Sequence, residues 1–292
     1  MSIFDGMEKF GLNNLSNMEV YSKDETKSKS KYESSKEKNA NAAPKTVKTE
    51  TESDYVYGKE FTCPVCDTVF KYPVVKTAKS RLCKQDKDLR PVHKEIDIIK
   101  YDVIHCNVCG YASLSRYHGP MAKPHKEMIK KSISINYKPM KELGNTISYE
   151  EAFDRYKLAL INAVCRQSKD SEKALICLKT AWLLRGMQEN PDSITDTENF
   201  GPEKATAMEK EYLKEALNGF VKARETEQPP IAGMNDVTLD YLLGVLCINE
   251  EQYENAVKLL HGIISSQTAG SAQKDKAREL ILEIKQKLKD KQ

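Results

Sequence analysis

The chain has 292 residues, of which 39% are apolar and 30% charged, and its formal net charge is +3. That length suits two modest domains plus a tail, and no apolar run approaches the roughly 20 residues needed to cross a bilayer. Met1 to Gly6 lack the basic start and apolar stretch of a secretory signal, so a cytoplasmic protein with reduced thiols is expected.

At the N-terminus, Ile3, Phe4, Met7, Phe10, Leu12, Leu15, Met18 and Val20 recur at near-helical spacing, interrupted by Gly6 and Gly11. Such a segment reads either as a loose apolar tip or as a short docking segment used in cis or in trans. Residues 22–54 are Ser, Thr, Lys, Glu and Asn with almost no large aliphatic side chain. They cannot bury enough apolar surface to offset the entropy of ordering. Residues 1–54 are therefore expected to be a disordered low-complexity tail with a short apolar N-terminal segment.

Residues 55–120 hold the densest chemistry. Four of the eight cysteines fall in two pairs, Cys63-Pro64-Val65-Cys66 and Cys106-Asn107-Val108-Cys109, while Cys83, Cys165, Cys177 and Cys247 are scattered. In a reducing compartment the paired spacing reads as metal binding and the scattered thiols as small apolar fillers. Two residues between cysteines let both sulfurs face one point. Two such turns supply four thiolates in a tetrahedral site, as in a zinc ribbon. The 39 residues between Cys66 and Cys106 imply an elaborated insertion, and Gly110 suits a turn end with positive φ. A redox Cys-x-x-Cys needs a βαβ context and a single pair. An iron–sulfur cluster usually spaces three cysteines closely. Four thiolates leave no open coordination position, so a structural Zn²⁺ is expected on Cys63, Cys66, Cys106 and Cys109. Cys83, His93 and His105 are weaker alternative ligands. Strands are predicted at 68–72 and 98–104 from their β-branched and aromatic content, with Pro73 at a sheet edge or a strand end. Chelation is expected to unfold residues 55–120 and spare the helical signal.

Within the insertion, Arg81, Asp86, Asp88 and Arg90 alternate in charge. They read as an ion-pair network that holds the insertion together, with a recognition surface as the alternative. Tyr111, Arg116, Tyr117 and His118 read as packing between ribbon and helices, although aromatics interleaved with basic residues can also stack on bases. The run from His118 to His125, with Gly119, Pro120 and Pro124, reads as a linker.

From residue 147 the period becomes helical. Ser148 and Glu151 form a capping box, and helices are predicted near 149–163, 171–188, up to 225, 236–248, 252–266 and 273–289. Trp182 reads as core. The pattern Tyr149-x₂-Ala152-x₃-Tyr156-x₂-Ala159 recurs from Leu213 and from Tyr253, with Leu243-Gly244 ahead of the last copy. These units resemble tetratricopeptide repeats, although the starts lie 64 and 40 residues apart. The fold class is thus α+β, mainly α: disordered tail, small β zinc ribbon over 55–120, and a tetratricopeptide-like antiparallel helical solenoid over 121–292.

Phe61-Thr62-Cys63-Pro64-Val65-Cys66, Ser80-Arg81-Leu82, Asp86-Lys87-Asp88-Leu89-Arg90-Pro91, Tyr101-Asp102-Val103, Cys106 to Ala112 and Ala181-Trp182-Leu183-Leu184-Arg185 together resemble an uncharacterised bacterial family, domain of unknown function 2225. The chain departs from that pattern at His93-Lys94, where a tyrosine is expected nearby. The resemblance spans most of 55–266 and implies a zinc ribbon joined to tetratricopeptide-like helices, with no activity to carry over.

P-loop, nucleophile-elbow, His-Glu-x-x-His and dinucleotide glycine motifs are absent from the sequence. The reading that follows is a non-enzymatic scaffold or adaptor holding a protein partner on its solenoid. A nucleic-acid-associated regulator is the alternative, since residues 55–120 carry 11 Lys/Arg against 7 Asp/Glu. An enzyme with an unrecognised site is the third. Oligomeric state and partner identity are not encoded in any motif.

Overall fold

The computed structural model describes residues 3–15, 18–21 and 51–290; of the low-complexity stretch predicted at 22–54, residues 22–50 lie outside the described residues. Two hairpins build the ribbon. Strands β1 (Val56–Thr62) and β2 (Val69–Val75) pair antiparallel, with Gly58 opposite Pro73. In a two-stranded sheet both strands are edges, so the N–H that Pro73 lacks costs no ladder bond. Between the hairpins, β3 (Leu82–Gln85) and β4 (Pro91–His93) form the insertion's own pair. Strands β5 (Val103–His105) and β6 (Ala112–Leu114) close the region.

The single strand predicted at 98–104 is split. Asp97 accepts from the Ile99 N–H at 3.0 Å and caps a 3₁₀ turn over Ile98–Tyr101, so only the end of the run is extended. Residues 51–54, assigned to the tail, are ordered: Thr51 and Asp54 form a capping box on a 3₁₀ turn at Glu52–Tyr55. Glu52 there accepts from Tyr101 and pairs with Lys100 at 2.5 Å.

Eight helices follow. The stretch taken for a linker, His118 to His125, runs into the start of α1 (Lys123–Ile129), which tolerates Pro124 because it lies in the first turn, where N–H groups lack helical partners. A single wider turn extends it through Ser134. The others are α2 (Tyr149–Cys165), α3 (Asp170–Glu189), the single turn α4 (Thr197–Phe200), α5 (Pro202–Thr226), α6 (Asp236–Asn249), α7 (Tyr253–Ser265) and α8 (Ser271–Asp290). Ser148 caps α2 through the expected box with Glu151, and Asn235 caps α6. The long helices pack chiefly on their neighbours in sequence, with α3 against both α2 and α5. Gly244 lets α6 approach α7: a Cβ there would stand 3.1 Å from Leu260. Among the described residues, no helix is long and apolar enough to cross a membrane.

One continuous apolar core runs through ribbon and helices. Ile104, Tyr111 and Leu114 of the ribbon are fully buried, as are Tyr156 and Leu160 of α2, against which β5 and β6 pack. The N-terminal segment belongs to the same core. Phe4, Met7, Phe10, Leu12 and Leu15 are buried, so the segment docks in cis. Tyr212 on α5 donates to the Ile3 carbonyl, and Lys138 N–H donates to the Phe10 carbonyl at 2.9 Å.

Candidate metal centre

Each cysteine pair occupies the tip of a hairpin. In the first, Cys63 N–H donates to the Thr68 carbonyl at 2.9 Å and Asp67 N–H donates to the Cys63 carbonyl at 3.0 Å. The second repeats this geometry: Cys106 N–H to Tyr111 O at 2.8 Å and Gly110 N–H to Cys106 O at 3.0 Å. Both tips place the residue after the second cysteine at positive φ, 73° at Gly110 and 61° at Asp67. Only the glycine announced this turn in the sequence. Aspartate is among the few other residues that tolerate the left-handed region.

The tips converge so that the four sulfurs of Cys63, Cys66, Cys106 and Cys109 all lie within 4.8 Å of one another. Cys63 and Cys109 are 3.5 Å apart and Cys66 and Cys106 3.7 Å. Sulfurs at ~2.3 Å from a tetrahedral zinc stand ~3.8 Å apart, so the donor set has the size and chemistry of a four-thiolate metal site. Cys63, Cys106 and Cys109 are buried and Cys66 half-buried. Hydrogen bonding with Cys106 pushes the Cys63 thiol up to about 12 and raises Cys109, while the same contacts with Cys109 and Cys63 lower Cys106. Sulfurs this close cannot all carry charge without strong mutual repulsion. Holding all four as thiolates needs a cation at their centre.

The second tip is clamped from the helical side. Asn162 of α2 donates to the Gly110 carbonyl at 3.0 Å, and Ser134 donates to the Cys109 carbonyl at 2.8 Å. Asn107 donates to the Met140 carbonyl and accepts its N–H. A Cβ on Gly110 would meet the Tyr137 ring at 2.6 Å. The first tip is held more lightly: Cys66 lies against the Thr68 hydroxyl and the Asp67 carboxylate is exposed.

The alternative ligands lie elsewhere. His93 hydrogen-bonds Ser80 at 2.6 Å, and His105, buried, hydrogen-bonds Tyr137 at 2.8 Å. Cys83 is exposed on β3, which corrects its reading as an apolar filler, and Cys165 is half-buried; Cys177 and Cys247 are core.

The charged insertion is an ion-pair network with the helices as its other half. Asp88, 3% exposed, accepts from Trp182 at 3.0 Å and from both terminal nitrogens of Arg185 at 3.0 and 2.8 Å. Arg90 pairs with Asp86 at 2.8 Å and with Glu189 at 2.5 Å. Arg81 stays outside this network, its backbone N–H reaching only Glu95. The aromatic–basic run after the second tip packs only in part: Tyr111 is buried and His118, half-buried, packs edge-on against Phe61, while Arg116 stays exposed and donates to the Ala232 carbonyl at 2.8 Å.

Residues 56–286 match a family described as an uncharacterized protein conserved in bacteria, DUF2225. No curated protein and no solved structure matches the chain.

Proposed function

Because the chain belongs to the DUF2225 family, whose description names no reaction, we propose its function from its own residues: a non-enzymatic, cytoplasmic scaffold in which a structural zinc fixes the ribbon to a tetratricopeptide-like helical array that holds a protein partner. The observation that carries this reading is the closure of the donor set. Four cysteines fill a tetrahedral shell, and a filled shell offers substrate no coordination position. The metal then contributes folding free energy rather than chemistry. The close α6–α7 crossing at Gly244 supports the repeat-like reading. In such arrays the exposed helix faces serve as binding surfaces. In vivo cross-linking followed by affinity purification of the full chain from its host tests the proposal. A protein recovered stoichiometrically supports it, and recovery of none sinks it.

A nucleic-acid role has a narrower footing. Lys59 stands 5.4 Å over the Phe61 ring on β1, beside Tyr57, which is 46% exposed. That patch predicts salt-dependent retention of single-stranded nucleic acid, abolished in a Tyr57→Ala/Lys59→Ala variant.

A further inference from the structure

The helices carry a groove that shares no residue with the four-cysteine cluster. It runs between the N-terminal segment and α5, α6 and α7, and encloses about 1240 Å³. Its floor is apolar, with Val20, Leu217, Leu243 and Leu259. Val221 projects from α5 with 41% of its surface exposed. The rim is acidic: Glu19, Glu211, Glu215 and Glu225. Glu211 and Glu215 are one helical turn apart and half-buried, and burial raises both carboxyls. Among the described residues, none of these four glutamates has an ion-pair partner.

The basic side chains at the groove are largely engaged. Arg224 pairs with Asp240 at 2.9 Å, and the Lys222 ammonium sits 5.3 Å over the Tyr21 ring; Arg224 and Lys258 are both exposed. Nearby ammonium groups, Lys214 beside both and Lys222 beside Glu215, offset this burial only in part; a carboxylate partly stripped of water is disfavoured, and a cation brought into direct contact recovers that free energy. The same rim repels anionic lipid and nucleic acid.

We propose that this groove takes a short amphipathic segment of another protein, its apolar side chains on the Leu217–Val221 floor and its lysines or arginines against Glu211 and Glu215. This rests on the scaffold reading and names the site and charge of its partner. A second copy of the chain is the rival occupant. Its α8 exposes Leu282 on a stripe shared with Lys285 and Lys289.

The probe is a fluorescein-labelled Leu/Lys amphipathic helix of roughly 16 residues, long enough to be helical, with a Leu/Glu counterpart as control. It is followed by anisotropy against the full chain. Saturable binding of the Leu/Lys peptide alone is expected. It should weaken at least about tenfold in Glu211→Lys/Glu215→Lys, and separately in Val221→Asp, with urea midpoints unchanged. Equal binding by native chain and variants overturns the proposal. So does a groove-dependent dimer, seen by sedimentation, that excludes the peptide. If a partner captured from the host is retained equally by both variants, the groove proposal falls while the scaffold reading stands. If the peptide binds as expected but no host partner is ever recovered, the scaffold reading falls instead.

Discussion

The Trp182 indole on α3 donates to the Asp88 carboxylate in the insertion at 3.0 Å, across 94 positions of sequence. Through this bond and the two from Arg185, a segment with little apolar content of its own is fixed to the helices. Breaking a buried pair by removing one partner costs more than the pair itself contributes, because the remaining charge is stranded. Asp88→Ala should therefore lower unfolding free energy by about 3 kcal/mol. Asp88→Asn keeps an acceptor for Trp182 and should cost clearly less. Urea denaturation distinguishes the two, and equal losses would mean that volume, not charge, is what Asp88 supplies.

Asp97 gives a pH signature. Burial beneath Gly186 raises its carboxyl, against the opposing hydrogen bonds from Ile99 and Tyr149. A raised folded-state value means that the native state binds the proton more tightly than the unfolded state. The contribution is present in full below the unfolded value of about 3.9 and is lost as pH rises through the folded one. Asp97→Asn lacks this dependence. The stability difference between native chain and variant should therefore be largest in acid and shrink as pH rises. Urea midpoints across that range check it, and a difference that grows with pH contradicts it.

One zinc per chain is expected by elemental analysis, with Cys106→Ser reducing it sharply. The uneven clamping of the two tips refines the expectation for chelation. The first tip and the β1–β2 hairpin should lose hydrogen-exchange protection. The β5–β6 hairpin, held by Asn162, Ser134 and Asn107, should keep most of its own. Equal loss in both hairpins would mean that the helical clamp contributes nothing without the metal.

Gly11 takes φ of 80°, and a Cβ there would stand 2.0 Å from the Asn136 carbonyl. Backbone cannot give way cheaply at that distance, and an L side chain is strained at that φ. Gly11→Ala should detach the N-terminal segment. The expected outcome is new binding of an apolar dye and faster proteolysis near residue 11, with far-ultraviolet dichroism almost unchanged. A variant as dye-silent as the native chain would refute the strap.

What the sequence made legible was local. The Cys63/Cys66 and Cys106/Cys109 spacings and the Ser148 box state their geometry within a few residues. The helix predicted at 171–188 is α3, Asp170–Glu189. Features that depend on distant partners were not legible. The apolar N-terminus looked as much like a loose tip as a docked one, because its partners lie on α5; Tyr21, for instance, bonds the Glu215 carbonyl 194 positions away. The run at 98–104 read as one strand because nothing nearby revealed that the Asp97 side chain would cap a turn. Asp67 at positive φ carried no glycine to mark it. Pro124 read as part of a linker although it lies in the first turn of α1.

The N-terminal segment also sets an order of events during synthesis. Its residues leave the ribosome well before the helix that anchors them: the Tyr212 hydroxyl that holds Ile3 is 209 positions later. At ordinary translation speeds that interval is roughly 10–40 s. Throughout it the Ile3 carbonyl lacks its α5 donor, while Phe10 and Gly11 can already meet residues 136–138. The segment's seat is therefore completed only when α5 arrives, and a nascent chain stalled before α5 leaves its apolar face partly uncovered.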